Sequence, residues 1–424
     1  MSEIDDREIR GLRAEVAGEV LRPTDDGYDA ARSVWNGAID RRPAVIVRCR
    51  NSADVAQAIA FARRAGLEIA VRGGGHNYAG FAVCEGGLMI DLSRMNGVTV
   101  DPTARRAICG GGATWADVDA ATQAYGLATV GGFVSHTGIG GLTLGGGFGW
   151  LSRRAGLTAD NLLAAEVVTA DGRVLRASAE ENPDLFWALR GGGGNFGVVT
   201  SFEFRLHEVG PTVHLGLFFW GLDRGREALR FSRDFVRTIP PDMGILIAGW
   251  TAPPAPFVPE QHHFAPGFAL LLTGFGSAKQ HADVVARVRA AMPPLFDLVT
   301  PIPYTGLQRM FDESLSWGQH AYEKALYLDD LTDESIDVFV AHYPRRHSAL
   351  SLAFAFVNDG AYAAVGADET AFGGDRQARI VFNVTGNCLT SELYEAERSW
   401  VRAFWDALRP LARNSGSYVN YMTE

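Results

Sequence analysis

Arg72-Gly73-Gly74-Gly75-His76-Asn77-Tyr78-Ala79-Gly80 is the stretch on which the fold turns. It follows Glu68-Ile69-Ala70-Val71, an apolar run that predicts a strand. Three glycines then remove every Cβ just before a histidine. Backbone N–H groups in such a run can close on a phosphate, because no side chain blocks the approach. An arginine in front and a histidine behind put chemistry on both sides of the nest. A glycine-rich surface turn would have the same composition, so the surroundings have to decide.

Upstream, Ala44-Val45-Ile46-Val47 predicts a buried strand and Ser52 an N-cap. Val55, Ala58, Ile59 and Ala62 recur at helical spacing, and Gly66 stops that helix. The order is strand, helix, strand, phosphate loop. Leu88-Met89-Ile90-Asp91-Leu92 and Val98-Thr99-Val100 predict two further strands, followed by Ala107-Ile108-Cys109. Thr114-Trp115-Ala116-Asp117 resembles a capping box for a helix through Tyr125.

A second glycine region spans residues 131–149 and includes Thr137-Gly138-Ile139-Gly140-Gly141-Leu142-Thr143-Leu144-Gly145-Gly146-Gly147-Phe148-Gly149. So much glycine predicts no regular element, because ordering it costs too much entropy. A large ligand lying along the backbone would offset that cost. The interleaved Ile139, Leu142, Leu144 and Phe148 argue against a free linker. A third run, residues 191–197, follows a predicted helix near 184–190 and leads into Val198-Val199-Thr200. Its Gly192, Gly194 and Gly197 match the spacing of a dinucleotide fingerprint. That fingerprint must follow a strand and open a helix. Here the order is reversed, which excludes the NAD-type reading.

Beyond Pro211 the pattern changes. Strands are predicted at 214–220, 245–250, 268–272 and 352–356, with helices near 225–237, 278–291 and 334–342. Few glycine nests occur there, and an α+β unit on an antiparallel sheet is expected. A last helix is predicted over 391–408, before Ser417-Tyr418-Val419-Asn420-Tyr421.

The 424 residues are 47% hydrophobic, ample for a large core. A net charge of −10 argues against a nucleic-acid partner. Cys49, Cys84, Cys109 and Cys388 are scattered, so neither a metal site nor a disulfide framework is expected. The acidic start at residues 1–6 lacks an apolar signal region, and no apolar run is long enough to span a membrane. A cytoplasmic setting is expected.

The three glycine regions in this order, with His76 in the first and Tyr418-Val419-Asn420-Tyr421 near the end, resemble the FAD-linked oxidases of the vanillyl-alcohol-oxidase superfamily. Within it they look like the berberine-bridge-enzyme-like branch. The resemblance covers about residues 20 to 424. It implies an α+β, two-part architecture. A PCMH-type FAD-binding domain would take residues 1–210 and be rejoined by 409–424, and a substrate domain with an antiparallel sheet would take 211–408. By resemblance, Arg72, Gly73, Gly74, Gly75, His76, Asn77 and Ala79 of the first loop would contact FAD. Gly132, Val134, Thr137, Gly138, Gly141, Gly145 and Gly146 of the second would do the same, as would Gly194 and Val199 of the third. His76 would be bonded to the flavin's methyl carbon. Many members add a second link from a cysteine, but Val134 stands at that position here, so a single link is expected. Members usually continue for a few dozen residues beyond the Tyr-x-Asn-Tyr motif, so a shortened flavin domain is expected.

Oxidation of an alcohol by a flavin needs a base for the hydroxyl proton as hydride leaves. Tyr421 is the expected base and Tyr418 the runner-up, provided that a cation such as an arginine or Lys324 lowers the phenol's pKa. Tyr78 is expected to line the substrate side, and Asn383 either points into the pocket or faces solvent. Thr137, nearly isosteric with valine, would leave oxygen access beside the ring. The expected function is an FAD-dependent oxidase that takes a hydride from a medium-sized organic molecule, with O2 as the second substrate. An oxidative cyclase of secondary metabolism and a non-catalytic flavin-fold binding protein are the alternatives. No motif in 211–408 names a sugar, a phenol or an alkaloid.

Overall fold

The computed structural model describes residues 5–423. The part of the acidic start at residues 1–4 lies outside them. The strands Val45–Arg48, Leu88–Asp91 and Ile69–Arg72 run parallel, with Leu88–Asp91 in the middle, and Glu19–Leu21 adds an antiparallel edge. The helix Ser52–Ala65 connects the outer two. Its N-cap is Asn51, whose side chain accepts from the Asp54 N–H, so Ser52 is the first helical residue and not the cap. The Ser52 hydroxyl is used elsewhere, donating to Glu166. Gly66 ends the helix in the left-handed region, φ 65°, as its position predicts. Val55, Ala58 and Ile59 close this core over Val45, Val47 and Ile90.

A five-stranded antiparallel sheet follows, in the order Val98–Asp101, Arg106–Gly110, Val198–Arg205, Leu162–Val168, Val174–Ser178. The helix Trp115–Gln123 starts at a formed capping box between Thr114 and Asp117. The third glycine run lies between the helix Pro183–Leu189 and the strand Val198–Arg205, the order that excludes a dinucleotide fingerprint. The second region departs from expectation, because Ile139–Leu144 is a short helix. Tertiary packing overrides the glycine cost there. Ile139 and Thr143 are buried, and the Thr143 hydroxyl donates to the Ile139 carbonyl at 2.7 Å.

Residues 212–388 build one seven-stranded antiparallel sheet. Side chains alternate across it with a period of two. On the strand Ile380–Cys388, Ile380, Phe382 and Val384 pack with Phe339 and Phe404 of the helices Asp333–His342 and Ser391–Leu408. Val381 points to the opposite face, into a core with Phe148, Trp150, Phe356 and Tyr418. That face, which also packs Tyr304 and Leu307 of the short helix Tyr304–Gln308, is pressed against the second glycine region. The chain's last turn, Val419–Tyr421, is wedged between the two. Among the described residues, no helix is long and apolar enough to cross a membrane.

Candidate active site

A cavity of about 630 Å³ opens where these units meet. Its lining has three parts. One is the glycine loops, with Gly73, Gly74, Gly138, Gly141 and Gly194. The second is an aromatic wall that includes Phe133, Phe148, Phe311, Phe354 and Phe356. The third is a polar group from the sheet, Glu323, Asn383 and Thr385, with Tyr78 and Tyr421 nearby.

Two loops form the cradle by touching back to back. A Cβ on Gly74 would lie 2.3 Å from the Gly138 nitrogen, and one on Gly138 would lie 2.3 Å from the Gly74 nitrogen. No side chain fits at either position. Gly141 differs: beyond its chain neighbours and its own helix backbone, a Cβ there would meet no atom of the described residues within 4 Å, yet the residue lines the cavity. Its glycine therefore keeps space clear for something other than the protein. Among the described lining residues Glu323 is the one acid, and there is neither lysine nor arginine. A diphosphate bound here would depend on backbone N–H groups, which a glycine nest supplies. The residues present fit a long, backbone-bound cofactor such as FAD.

Gly75 turns the chain with φ 71° and delivers His76 to the cavity wall. Trp35 stacks on the His76 ring with centroids 5.2 Å apart and planes 19° apart. His76 Nε2 lies 2.7 Å from His136 Nδ1, and Nδ1 lies 3.4 Å from Thr137 Oγ1. Burial, with the neighbouring His136 second, holds the His76 pKa well below the ordinary range, so the ring is neutral.

Glu323 is 2% exposed. Strand parity puts it on the same face as Asn383 and Thr385 of the neighbouring strand, through the register Ala325–Asn383 and Glu323–Thr385. Its Oε1 accepts from Asn383 Nδ2 at 2.5 Å and from Thr385 Oγ1 at 3.0 Å. Oε2 has no partner of good geometry. Burial pushes the carboxyl pKa up to about 8, against the pull of hydrogen bonds from Asn383, Thr385 and Tyr78. Such a group can hold or release a proton near neutral pH. The sequence reading missed it, because a glutamate within Tyr322-Glu323-Lys324 reads as a solvated strand face.

The other expected site residues divide. Tyr78, Asn383, Gly73, Gly75, Asn77, Gly132, Val134, Thr137, Gly145, Val199 and Tyr421 all reach the cavity lining. Asn383 is buried, which resolves its open orientation. Asn77 also closes its own turn, accepting from the Phe81 N–H at 2.9 Å. Tyr418 is outside the lining. Its hydroxyl accepts from the Gly147 N–H at 3.0 Å and from Asn420 Nδ2 at 2.9 Å, which makes it a strut. Gly146 is set back against Phe372, and Ala79 is buried behind the loop. The Arg72 guanidinium turns away to the Ala31 carbonyl. Among the described residues no cation lowers the pKa of the Tyr421 phenol. Lys324 lies over the Trp405 ring at 4.8 Å, and burial, then Glu323 and Tyr418, push the Tyr421 pKa well above its ordinary value. Asn36 was also missed. It ties the Tyr78 carbonyl to Ala321 with bonds of 2.9 Å and 3.0 Å, joining the first loop to the strand of Glu323.

Three comparisons bear on this geometry. Residues 43–178 match the FAD binding domain family. The chain is 30% identical over 342 residues to an FAD-linked oxidoreductase of Dictyostelium discoideum, covering 80% of this chain and 72% of that protein. It is 43% identical over 205 residues to (R)-6-hydroxynicotine oxidase of Paenarthrobacter nicotinovorans, covering 48% of this chain and 45% of the relative. Over most such curated relatives the match spans about half of the relative's length. The solved structure of 6-hydroxy-D-nicotine oxidase from Arthrobacter nicotinovorans superposes with a TM-score of 0.85 at 27% identity, over 96% of this chain and 90% of that one. Glucooligosaccharide oxidase from Acremonium strictum, described with a 6-S-cysteinyl, 8α-N1-histidyl FAD, gives 0.85 at 26%, over 98% and 90%. The fold and the cradle define a flavin-binding oxidoreductase. The chain belongs to the FAD-linked oxidoreductases of the vanillyl-alcohol-oxidase superfamily, with berberine-bridge-enzyme-like structural neighbours.

Proposed function

We propose that this protein is an FAD-dependent oxidase that removes a hydride from a carbon bearing a hydroxyl or amine, on a compact and largely apolar molecule, with O2 as electron acceptor. The observation that carries this is one cavity that joins the glycine cradle to the buried carboxyl of Glu323, whose Oε2 has no hydrogen bond of good geometry. FAD, when bound, supplies the two-electron acceptor. The chain's own residues do the rest. The loops at Gly73–Gly75 and Gly138–Gly141 bind the cofactor backbone, and His76 attaches it through one bond, with Val134 offering no second. Asn383 and Thr385 orient Glu323, whose carboxylate takes the substrate's O–H or N–H proton. The phenylalanine wall excludes water and holds the substrate by its apolar body.

Among the relatives' named substrates, the aromatic wall and the absence of lysine and arginine from the described lining favour a nicotine-like molecule over an oligosaccharide. A sugar ring would leave most of its hydroxyls unpaired against phenylalanine, a cost of about 1–3 kcal/mol for each buried group. Residues 1–210 with 409–424 would form the flavin domain and 211–408 the substrate domain. The bonds from Asn420 to Leu142 and from Thr423 to Glu323 support the tail's place between them. Four buried free thiols suit a reducing, cytoplasmic setting.

Anaerobic mixing of the purified flavoprotein with aromatic amines and alcohols, and separately with oligosaccharides, tests the reading. Bleaching of the flavin band by the first group, and its return in air, is the expected result. Bleaching by oligosaccharides alone would overturn the substrate assignment, and none by any candidate would favour a binder without turnover. His76→Ala should release all flavin into the supernatant on acid precipitation, whereas the wild type should retain it.

A further inference from the structure

His76 is gripped on three sides. Trp35 stacks on one face, Trp317 meets it edge-on at 6.0 Å and 89°, and His136 sits at 4.8 Å. Its Nε2 is committed to His136 Nδ1 at 2.7 Å, while Nδ1 has Thr137 Oγ1 at a long 3.4 Å. His136 is itself placed from the other half of the molecule. Asp312 lies between the helix Tyr304–Gln308 and the strand His320–Leu328. Its carboxylate accepts from the Ser135 N–H at 2.8 Å and from the Ser135 hydroxyl at 2.5 Å. Three consecutive residues thus have three tasks: Ser135 docks on Asp312, His136 holds His76, and Thr137 stands beside Nδ1.

We propose that His136, set in place by Asp312 through Ser135, is the positioning residue that presents Nδ1 of His76 to the cavity for bonding to FAD. This rests on the reading that His76 carries the cofactor.

The tautomers follow from the contacts. Two ring nitrogens 2.7 Å apart share one proton. Burial lowers the His136 pKa, so the ring is neutral with one proton; its Nε2 is buried with no well-formed hydrogen bond, and the charge and backbone of Asp312, opposing the burial, favour that proton on the Asp312 side. With Nδ1 facing His76, the proton is on Nε2. His136 Nδ1 then accepts from the His76 Nε2–H, and the His76 lone pair falls on Nδ1. A nucleophile needs that lone pair. Attachment breaks one C–H bond of the flavin's ring methyl and forms a C–N bond at Nδ1. The methyl proton and the imidazole proton leave, and two electrons pass by way of the flavin to dioxygen, giving hydrogen peroxide.

The chain as folded thereby makes cofactor attachment depend on the docking of the Asp312 segment. A packing role alone would not distinguish acceptor positions. Asparagine places its Oδ1 near the site of histidine Nδ1, whereas leucine has no acceptor.

The test compares wild type, His136→Leu, His136→Asn and Asp312→Ala as full-length proteins reconstituted with FAD. Acid-stable flavin is measured over time, and the linkage isomer is determined by NMR of the isolated flavin peptide. The wild type should give the Nδ1 isomer alone. His136→Leu should attach FAD about a hundredfold more slowly, the scale of a misplaced reacting atom, and as mixed Nδ1 and Nε2 isomers. His136→Asn should recover most of the rate, and Asp312→Ala should fall between them. Wild-type attachment through Nε2 would overturn the proposal. So would a His136→Leu rate equal to wild type, or equal losses in the leucine and asparagine variants. If His136→Leu does not fold, an Asp312→Ala protein that attaches FAD at the wild-type rate overturns it. A wild type with no acid-stable flavin would sink the His76 link and this proposal together, whereas the other outcomes leave the link standing.

Discussion

Glu323 and Thr423 exchange two backbone-anchored hydrogen bonds: the Glu323 N–H donates to Thr423 Oγ1 at 2.9 Å, and the Thr423 hydroxyl donates to the Glu323 carbonyl at 3.0 Å. The chain's last residues are thereby clipped to the strand that carries the proposed base. Thr423→Val keeps the shape and removes both bonds. Each is worth about 0.5–1.5 kcal/mol, so unfolding should show a loss of roughly 1–3 kcal/mol. Flavin reduction should slow by about tenfold as the strand loosens. A variant with unchanged stability and rate would mean that the tail does not brace the site.

Glu323 should govern the pH profile. Its carboxyl is held neutral until about pH 8, whereas an unfolded glutamate ionises near 4.3. Between those values the folded chain keeps a proton that the unfolded chain has lost. Stability contributed by this group is therefore full below about pH 4.3 and falls as pH rises toward 8. Reactivity runs the other way, because only the carboxylate accepts a proton. Stopped-flow reduction should accelerate through an ionisation near pH 8. Glu323→Gln should lose that step, reduce about a hundred- to ten-thousand-fold more slowly, and denature with less dependence on pH. A glutamine variant with the wild-type rate would move the base elsewhere.

The two late tyrosines should separate cleanly. Tyr421 lines the cavity, but burial keeps its phenol protonated, so Tyr421→Phe should cost no more than about tenfold in reduction, or 1.4 kcal/mol of barrier. Tyr418→Phe leaves the buried Gly147 N–H without its acceptor. It should destabilise the fold by about 1–3 kcal/mol and shift thermal unfolding downward. A hundredfold loss in Tyr421→Phe would restore that phenol as the base.

Thr137 stands beside His76 and lines the cavity. Thr137→Leu adds bulk there, and reoxidation by O2 should slow by roughly tenfold while anaerobic reduction changes less. Equal slowing of the two half-reactions would show that the position shapes the pocket generally.

Local chemistry was legible from the chain alone. Glycine spacing at 73–75 and 138–146, the helix stop at Gly66 and the capping box at Thr114 are local backbone constraints, and each leaves a mark in consecutive residues. The glycine regions, in order, with His76 in the first and Tyr418-Val419-Asn420-Tyr421 near the end, carried the resemblance to a flavin oxidase. Contacts between distant segments leave no such mark. Glu323 becomes a buried acid only because its strand pairs with that of Asn383, 60 residues away. Lys324, next to it, falls on the other face and is lost to the site. His136 gains a partner 60 residues upstream, and Asp312 reaches Ser135 across 177. The short helix Ile139–Leu144 forms against the glycine preference because Gly138 docks on Gly74. Propensity and nests are fixed by neighbours in the chain. Burial, and with it the protonation of Glu323, Tyr421 and His76, is set by what packs around a residue once the sheets have closed.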